Sequence, residues 1–166
     1  MTHQIAQYDE AILYTDTQLQ RLYTIWEKSE RDAIWIITSD HGEEFGERGS
    51  WGHAHTLYKE QIHIPLIISP TPKKQVRKEY VGIDDIASTI GRLAGVAFEG
   101  SGISLLDEII PQRDFYFETS RFHSNRLSIF SDGYRLEWDI PTDTTELFHQ
   151  EIDLQEQNPL NEEQRV

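Results

Sequence analysis

Asp40 and His41 are adjacent and followed by Gly42, which sets one carboxylate and one imidazole on a glycine-bearing turn. Successive oxygen and nitrogen donors of this kind can grip one divalent cation or two close ones. The plain alternative is an aspartate that caps a turn. Twelve residues beyond His41, the pair His53-x-His55 closes a run punctuated by Gly42, Gly46, Gly49 and Gly52. Residues two apart on an extended segment point the same way, so His53 and His55 could ligate a metal or contact an anionic group, with His53 the stronger candidate. The alternative is one surface histidine and one that only packs. Glu43, Glu44, Glu47 and Arg48 read as a solvated loop face, and His3, His63, His123 and His149 as structural. The chain has no cysteine, which excludes disulfides, thiolate metal sites and a cysteine nucleophile.

Elements on either side must position these residues. Ile5, Tyr8, Ile12, Thr15, Leu19, Leu22 and Trp26 follow spacings of 3 and 4, predicting an amphipathic helix from near Thr2 to near Lys28 that covers a sheet. Ala33 to Thr38 is apolar on both faces and reads as a buried parallel strand. Asp40 and His41 would then stand at its carboxyl end, where open α/β sheets bind ligands. Ile62 to Ser69 carries Pro65, which places this second strand at an edge or starts it near the proline. Ile83, Ile86, Ile90 and Leu93 mark a helix capped by Asp84 or Asp85 and closed by Gly95. Beyond Gly100 the segments Asp114–Thr119, Leu127–Phe130, Tyr134–Ile140 and Glu146–Phe148 predict a small antiparallel sheet, with Ser131-Asp132-Gly133 at one turn. The division falls at 112/113, into an α/β part over 1–112 and a sheet subdomain with a tail over 113–166. The tail from Asn158 is expected to fray.

The chain has 166 residues and a formal net charge of −14. So acidic a surface disfavours nucleic acid and anionic membrane as partners. A bound metal can still invert the field locally and admit an anionic substrate. Met1-Thr2-His3-Gln4 does not open a signal peptide, and the longest apolar runs are too short to span a bilayer. The expectation is a soluble piece with no membrane segment, its compartment unspecified.

Three stretches, taken in order, resemble the sulfatase family of the alkaline-phosphatase-like superfamily: Ser39-Asp40-His41-Gly42-Glu43-Glu44-Phe45-Gly46-Glu47, then Trp51-Gly52-His53, then Leu57-Tyr58-Lys59-Glu60 with His63-Ile64-Pro65-Leu66-Ile67-Ile68. Flanking segments agree: Tyr8-Asp9 to Asp16, Ile83-Asp84-Asp85 to Gly95, Gly102-Ile103-Ser104-Leu105-Leu106, and Glu146-Leu147-Phe148 to Leu160. The resemblance implies an α/β fold: part of a three-layer α/β/α core over 1–112, followed by the small antiparallel C-terminal sheet. It also implies hydrolysis of a sulfuric ester at a divalent metal. Asp40 and His41 would be metal ligands, and His53 the catalytic residue that contacts the transferred group, with His55 beside it as a substrate-binding residue. The metal would be calcium, manganese or zinc, and imidazole suits manganese or zinc better than calcium.

Two departures from the family pattern matter. Many sulfatases carry asparagine where His41 stands. A histidine there is shared with relatives acting on phosphate or phosphonate esters. The family's Cys/Ser-x-Pro-x-Arg nucleophile segment is also missing, since no proline here has cysteine or serine two places before it. The expectation is therefore a fragment of a hydrolase, inactive alone, whose parent acts on a small-molecule or glycan sulfate or phosphate ester. The competing expectation is a non-catalytic remnant or interaction module. Either way, self-association or a requirement for the missing N-terminal half is expected of the isolated chain.

Overall fold

A computed structural model describes residues 2–29, 32–71, 74–98, 100–121 and 123–160. The chain forms two compact units, Met1–Pro72 and Lys73–Val166. The boundary expected at 112 lies within the second of these. The tail residues 161–166, expected to fray, lie outside the described residues.

The first unit opens with helix α1 (Thr2–Glu27). The helix meets the sheet elements through aromatic rings, Tyr8 and Trp26 of the stripe and Tyr23 beside it. Tyr23 and Trp26 lie 5.7 and 6.4 Å from Trp35, and Tyr8 meets Phe45 edge-on at 4.9 Å. Strand β1 (Trp35–Thr38) carries Trp35, and Phe45 belongs to β2 (Glu44–Phe45). A short hairpin pairs β2 with β3 (Trp51–Gly52) inside the glycine-punctuated loop. One turn of helix, α2 (Lys59–Ile62), then leads into β4 (Leu66–Ser69). Pro65 stands immediately before β4, as its missing donor requires, and its carbonyl accepts the Thr38 hydroxyl at 2.8 Å.

The direction of β1 corrects the expectation of a buried parallel strand. β1 pairs antiparallel with β4, Trp35 opposite Ser69 and Thr38 opposite Leu66, and it is only partly buried. An apolar run on both faces reports what can pack there and not the sense of the neighbouring strand.

The second unit begins with helix α3 (Asp84–Ala94). Gly95 closes it in the left-handed conformation (φ 66°), the Val96 N–H reaching back to the Gly91 carbonyl. Neither Asp84 nor Asp85 is the N-cap; Ile83 is, without a side-chain bond. Asp85 is fully buried, accepting the N–H groups of Gly82 and Ile103 at 2.8 Å each and pairing with Arg113. Of these partners Gly82 is local to the helix start, while Ile103 and Arg113 are distant in sequence. Gly102 sits so close to the helix that a Cβ would fall 2.2 Å from the Asp84 carbonyl oxygen.

The strands β5 (Phe115–Thr119), β6 (Arg126–Ser131), β7 (Tyr134–Asp139) and β8 (Thr144–His149) form the expected antiparallel meander, in the order β5-β6-β7-β8. Asp132 (φ 48°) and Gly133 (φ 79°) make the two-residue turn that an Asp-Gly pair favours. One face of this sheet is ionic and dry. Arg135, 1% exposed, makes a two-pronged bond with Glu156 (2.6 and 2.7 Å) and a third with Glu137 (3.0 Å). This clamps the segment after β8 onto the sheet. Glu156→Ala leaves the guanidinium buried and half-paired, and is expected to lower stability by about 3–5 kcal/mol. A urea unfolding series followed by circular dichroism measures it.

Candidate active site

The site forms at the carboxyl end of β1. The Ser39 hydroxyl donates to the His41 carbonyl at 2.7 Å and bends the chain, and the Asp40 carboxylate accepts the His41 N–H at 3.1 Å. The Asp40 side chain is 86% exposed. Its carboxyl is held below its usual range chiefly by its own backbone N–H, then by the neighbouring His41, against a small opposing effect of desolvation. It is therefore a carboxylate across the neutral range, as a cation ligand must be.

His41 Nδ1 lies 2.8 Å from the Gly42 carbonyl. A carbonyl only accepts, so Nδ1 carries a proton, and the neutral ring would present its lone pair at Nε2. This is the tautomer in which metal-binding histidines are held by a backbone partner. Nε2 lies 3.6 Å from Asp40 Oδ2, close to the roughly 3–3.5 Å that separates two donors on one small cation. The pair thus fits two positions of a divalent metal's shell. Among the described residues no group of three or more His, Cys, Asp or Glu side chains could hold a metal ion, so any further ligand is not in this cluster.

His53 is brought to the same place. Its ring stacks on that of His41, centroids 3.8 Å apart and planes 28° from parallel. Its Nδ1 faces both oxygens of Glu43 at 3.3 Å, which again leaves Nε2 for a ligand. Two stacked imidazoles therefore stand together, the first of them beside the exposed Asp40 carboxylate.

His55 goes elsewhere. Its Nε2 donates to Glu44 at 2.7 Å, and its Nδ1 faces the His53 carbonyl at 3.1 Å. The shared direction expected of His-x-His requires an extended segment. Ala54 has φ 67°, a left-handed conformation, and it turns the second ring inward.

The inward ring finds a carboxylate that the sequence had placed in solvent. Glu44 is fully buried, its Oε2 accepting His55 Nε2, Gln61 Nε2 at 2.9 Å and, more loosely, the Thr56 hydroxyl at 3.5 Å. Oε1 has no hydrogen-bond partner among the described residues. Arg48 is also largely covered, pairing with Glu60 at 3.3 Å and lying over the Tyr58 ring at 4.2 Å. Glu43, Glu44 and Gln61 are the residues that sequence reasoning passed over. Their one signal was a histidine and a glutamine, His55 and Gln61, eleven and seventeen positions downstream of Glu44.

Gly42 is required by its surroundings. Its N–H donates to the Gln61 carbonyl at 2.8 Å, and a Cβ there would lie 2.0 Å from the Glu60 carbonyl oxygen. Gly42→Ala is expected to cost about 1–3 kcal/mol through this collision and to displace His41. A thermal melt combined with a metal titration of the same sample reads both effects.

The sequence model of the family described as Sulfatase matches residues 1–96. Phosphoethanolamine transferase EptA of Helicobacter pylori is 36% identical over 64 residues, which are 37% of this chain and 12% of that protein. Among solved structures, a sulfatase-like protein from Bacteroides thetaiotaomicron superposes with a TM-score of 0.64 at 20% identity, covering 80% of this chain and 32% of that one. A 2-O GAG sulfatase superposes with a TM-score of 0.62 at 20% identity and the same coverage. The fold is that of an α/β segment of the alkaline-phosphatase-like kind, with a small antiparallel sheet after it.

Proposed function

The chain belongs to the sulfatase family, and from that premise we propose that Asp40 and His41 hold a divalent cation while His53 contacts the tetrahedral oxyanion of an ester that is cleaved there. One observation carries this reading. Both imidazoles have Nδ1 tied to an internal acceptor, their rings stack at 3.8 Å, and His41 Nε2 lies 3.6 Å from Asp40 Oδ2.

A bound calcium, manganese or zinc ion would act as a Lewis acid on the anionic ester. Asp40 and His41 fix where that anion sits. His53, braced at Nδ1 by Glu43, takes or gives a proton at Nε2. These residues include no nucleophile, and covalent chemistry of this kind needs an activated one. In this reading it comes from polypeptide outside the 166 residues, and the chain alone is inactive. Such polypeptide, or a second copy, would also cover apolar side chains of α1 such as Ile12 and Leu13, exposed by 55 and 67%.

Hydrolysis of a sulfuric ester, of a small molecule or a glycan, is the reading that follows from the family. Phosphoryl transfer is the second reading. It is favoured by the histidine at position 41 and by the 36% identity to a phosphoethanolamine transferase. A non-catalytic interaction module is the outcome if no cation binds.

Asp40→Asn is expected to weaken manganese binding by at least about tenfold and to leave the circular dichroism unchanged. Isothermal titration of the 166-residue chain decides it, and equal binding by the variant overturns the assignment of Asp40. With the nucleophile-bearing polypeptide supplied, turnover of an aryl phosphate diester but not an aryl sulfate selects the second reading, and the reverse selects the first.

A further inference from the structure

We propose, resting on the reading of Asp40, His41 and His53 given above, that Gln61 is the positioning residue of this site, tying the turn that carries His41 to the turn that carries His53. Gln61 is 5% exposed and lies on the single helical turn α2. Its backbone carbonyl accepts the Gly42 N–H at 2.8 Å, one residue after His41. Its side-chain Oε1 accepts the Ala54 N–H at 2.8 Å, one residue after His53. A single residue therefore grips both turns.

The grip is anchored from behind. Gln61 Nε2 donates to the buried carboxylate of Glu44 at 2.9 Å and to Thr56 Oγ1 at 2.7 Å. This fixes the amide orientation, so that Oε1 and not Nε2 faces Ala54. Ala54 needs such a hold because φ 67° is a conformation that alanine rarely adopts. His55 adds a second strut, bridging the His53 carbonyl and Glu44. The product of this frame is the 3.8 Å stacking of His41 on His53, which sets how far apart a cation held by one and an anion held by the other can lie. Gln61 touches neither, so its effect is on spacing.

A merely structural Gln61 would lower stability without moving the two rings, and that contrast supplies the test. In the metal-free 166-residue chain, the wild type is expected to give a nuclear Overhauser cross-peak between ring protons of His41 and His53. Gln61→Met keeps length but removes the side-chain bonds to Ala54, Glu44 and Thr56. Gln61→Asn keeps an amide too short to reach Ala54. Both are expected to lose the cross-peak and to bind manganese about tenfold more weakly. Arg48→Met, which perturbs the neighbouring Tyr58–Glu60 cluster, is expected to keep both. A folded Gln61 variant with the cross-peak and affinity of the wild type overturns the proposal. Failure of both variants to fold also overturns it, because Gln61 would then be a stability residue. If the wild type itself binds no manganese, the reading of the metal site falls separately, while the cross-peak still reports whether Gln61 sets the ring spacing.

Discussion

Glu44 follows the Asp40-His41-Gly42-Glu43 segment directly, at the start of β2, and its side chain is entirely out of water. A lone carboxylate there would cost several kcal/mol unless donors meet it. The donors nearest in sequence do not serve. Those that do are His55 and Gln61, with Thr56 at longer range, all on the far side of the hairpin loop. Satisfying Glu44 therefore folds residues 53–61 back against residues 40–45, and His53 arrives over His41 as a consequence. Glu44 touches no reacting group, yet the geometry of the proposed site depends on it. Its Oε1 has no partner among the described residues, so the compensation is one-sided, weighted toward the oxygen that faces the two histidine-bearing turns.

The second unit solves a similar problem differently. Arg135 and Glu156 are both about 1% exposed, and every nitrogen of the guanidinium has a carboxylate or hydroxyl acceptor in hand. Glu137 is in turn shared with Arg126 at 2.9 Å. That closed network offers nothing outward; its effect is to hold the segment after β8 on the sheet. The Glu44 network is open at one end, where Ala54 and the His53 carbonyl continue into exposed imidazoles. Buried charge thus fastens a backbone segment in the second unit and presents side chains to solvent in the first.

What could be seen in advance divides along the same line. α3 with its Gly95 stop, the four-strand meander, the Asp132–Gly133 turn and the strand beginning after Pro65 rest on contacts a few residues apart, which composition and spacing record. The placement of Asp40 and His41 at a strand end was legible for the same reason. Glu44 was not, since an acid in a glycine-rich polar loop carries no local mark of burial and its partners are eleven to seventeen residues away. Asp85 misled in part: it accepts the local Gly82 N–H without being the cap, and its other partners are Ile103 and Arg113, far along the chain. His55 needed one backbone angle, at Ala54, that no side-chain pattern encodes. The direction of β1 was hidden because apolarity on both faces is common to strands of either sense.

The net charge of −14 bears on the chemistry proposed. A chain so acidic repels an anionic ester at long range, and the Debye length at physiological salt, about 8 Å, lets most of that repulsion fade before contact. Recognition then rests on what lies within the last few ångströms. There the site offers one carboxylate in Asp40, and the other nearby one, Glu43, is occupied by His53 Nδ1. Replacing the His41 imidazole with a further carboxylate would bind a cation well but leave less positive charge for the ester oxygens. Two imidazoles, which carry no negative charge, beside one acid would preserve most of a bound cation's charge for the substrate. A low count of acidic ligands is therefore what an anion-binding metal site in an acidic protein would require, and in the proposed site the stacked pair of His41 and His53 adds no carboxylate to that of Asp40.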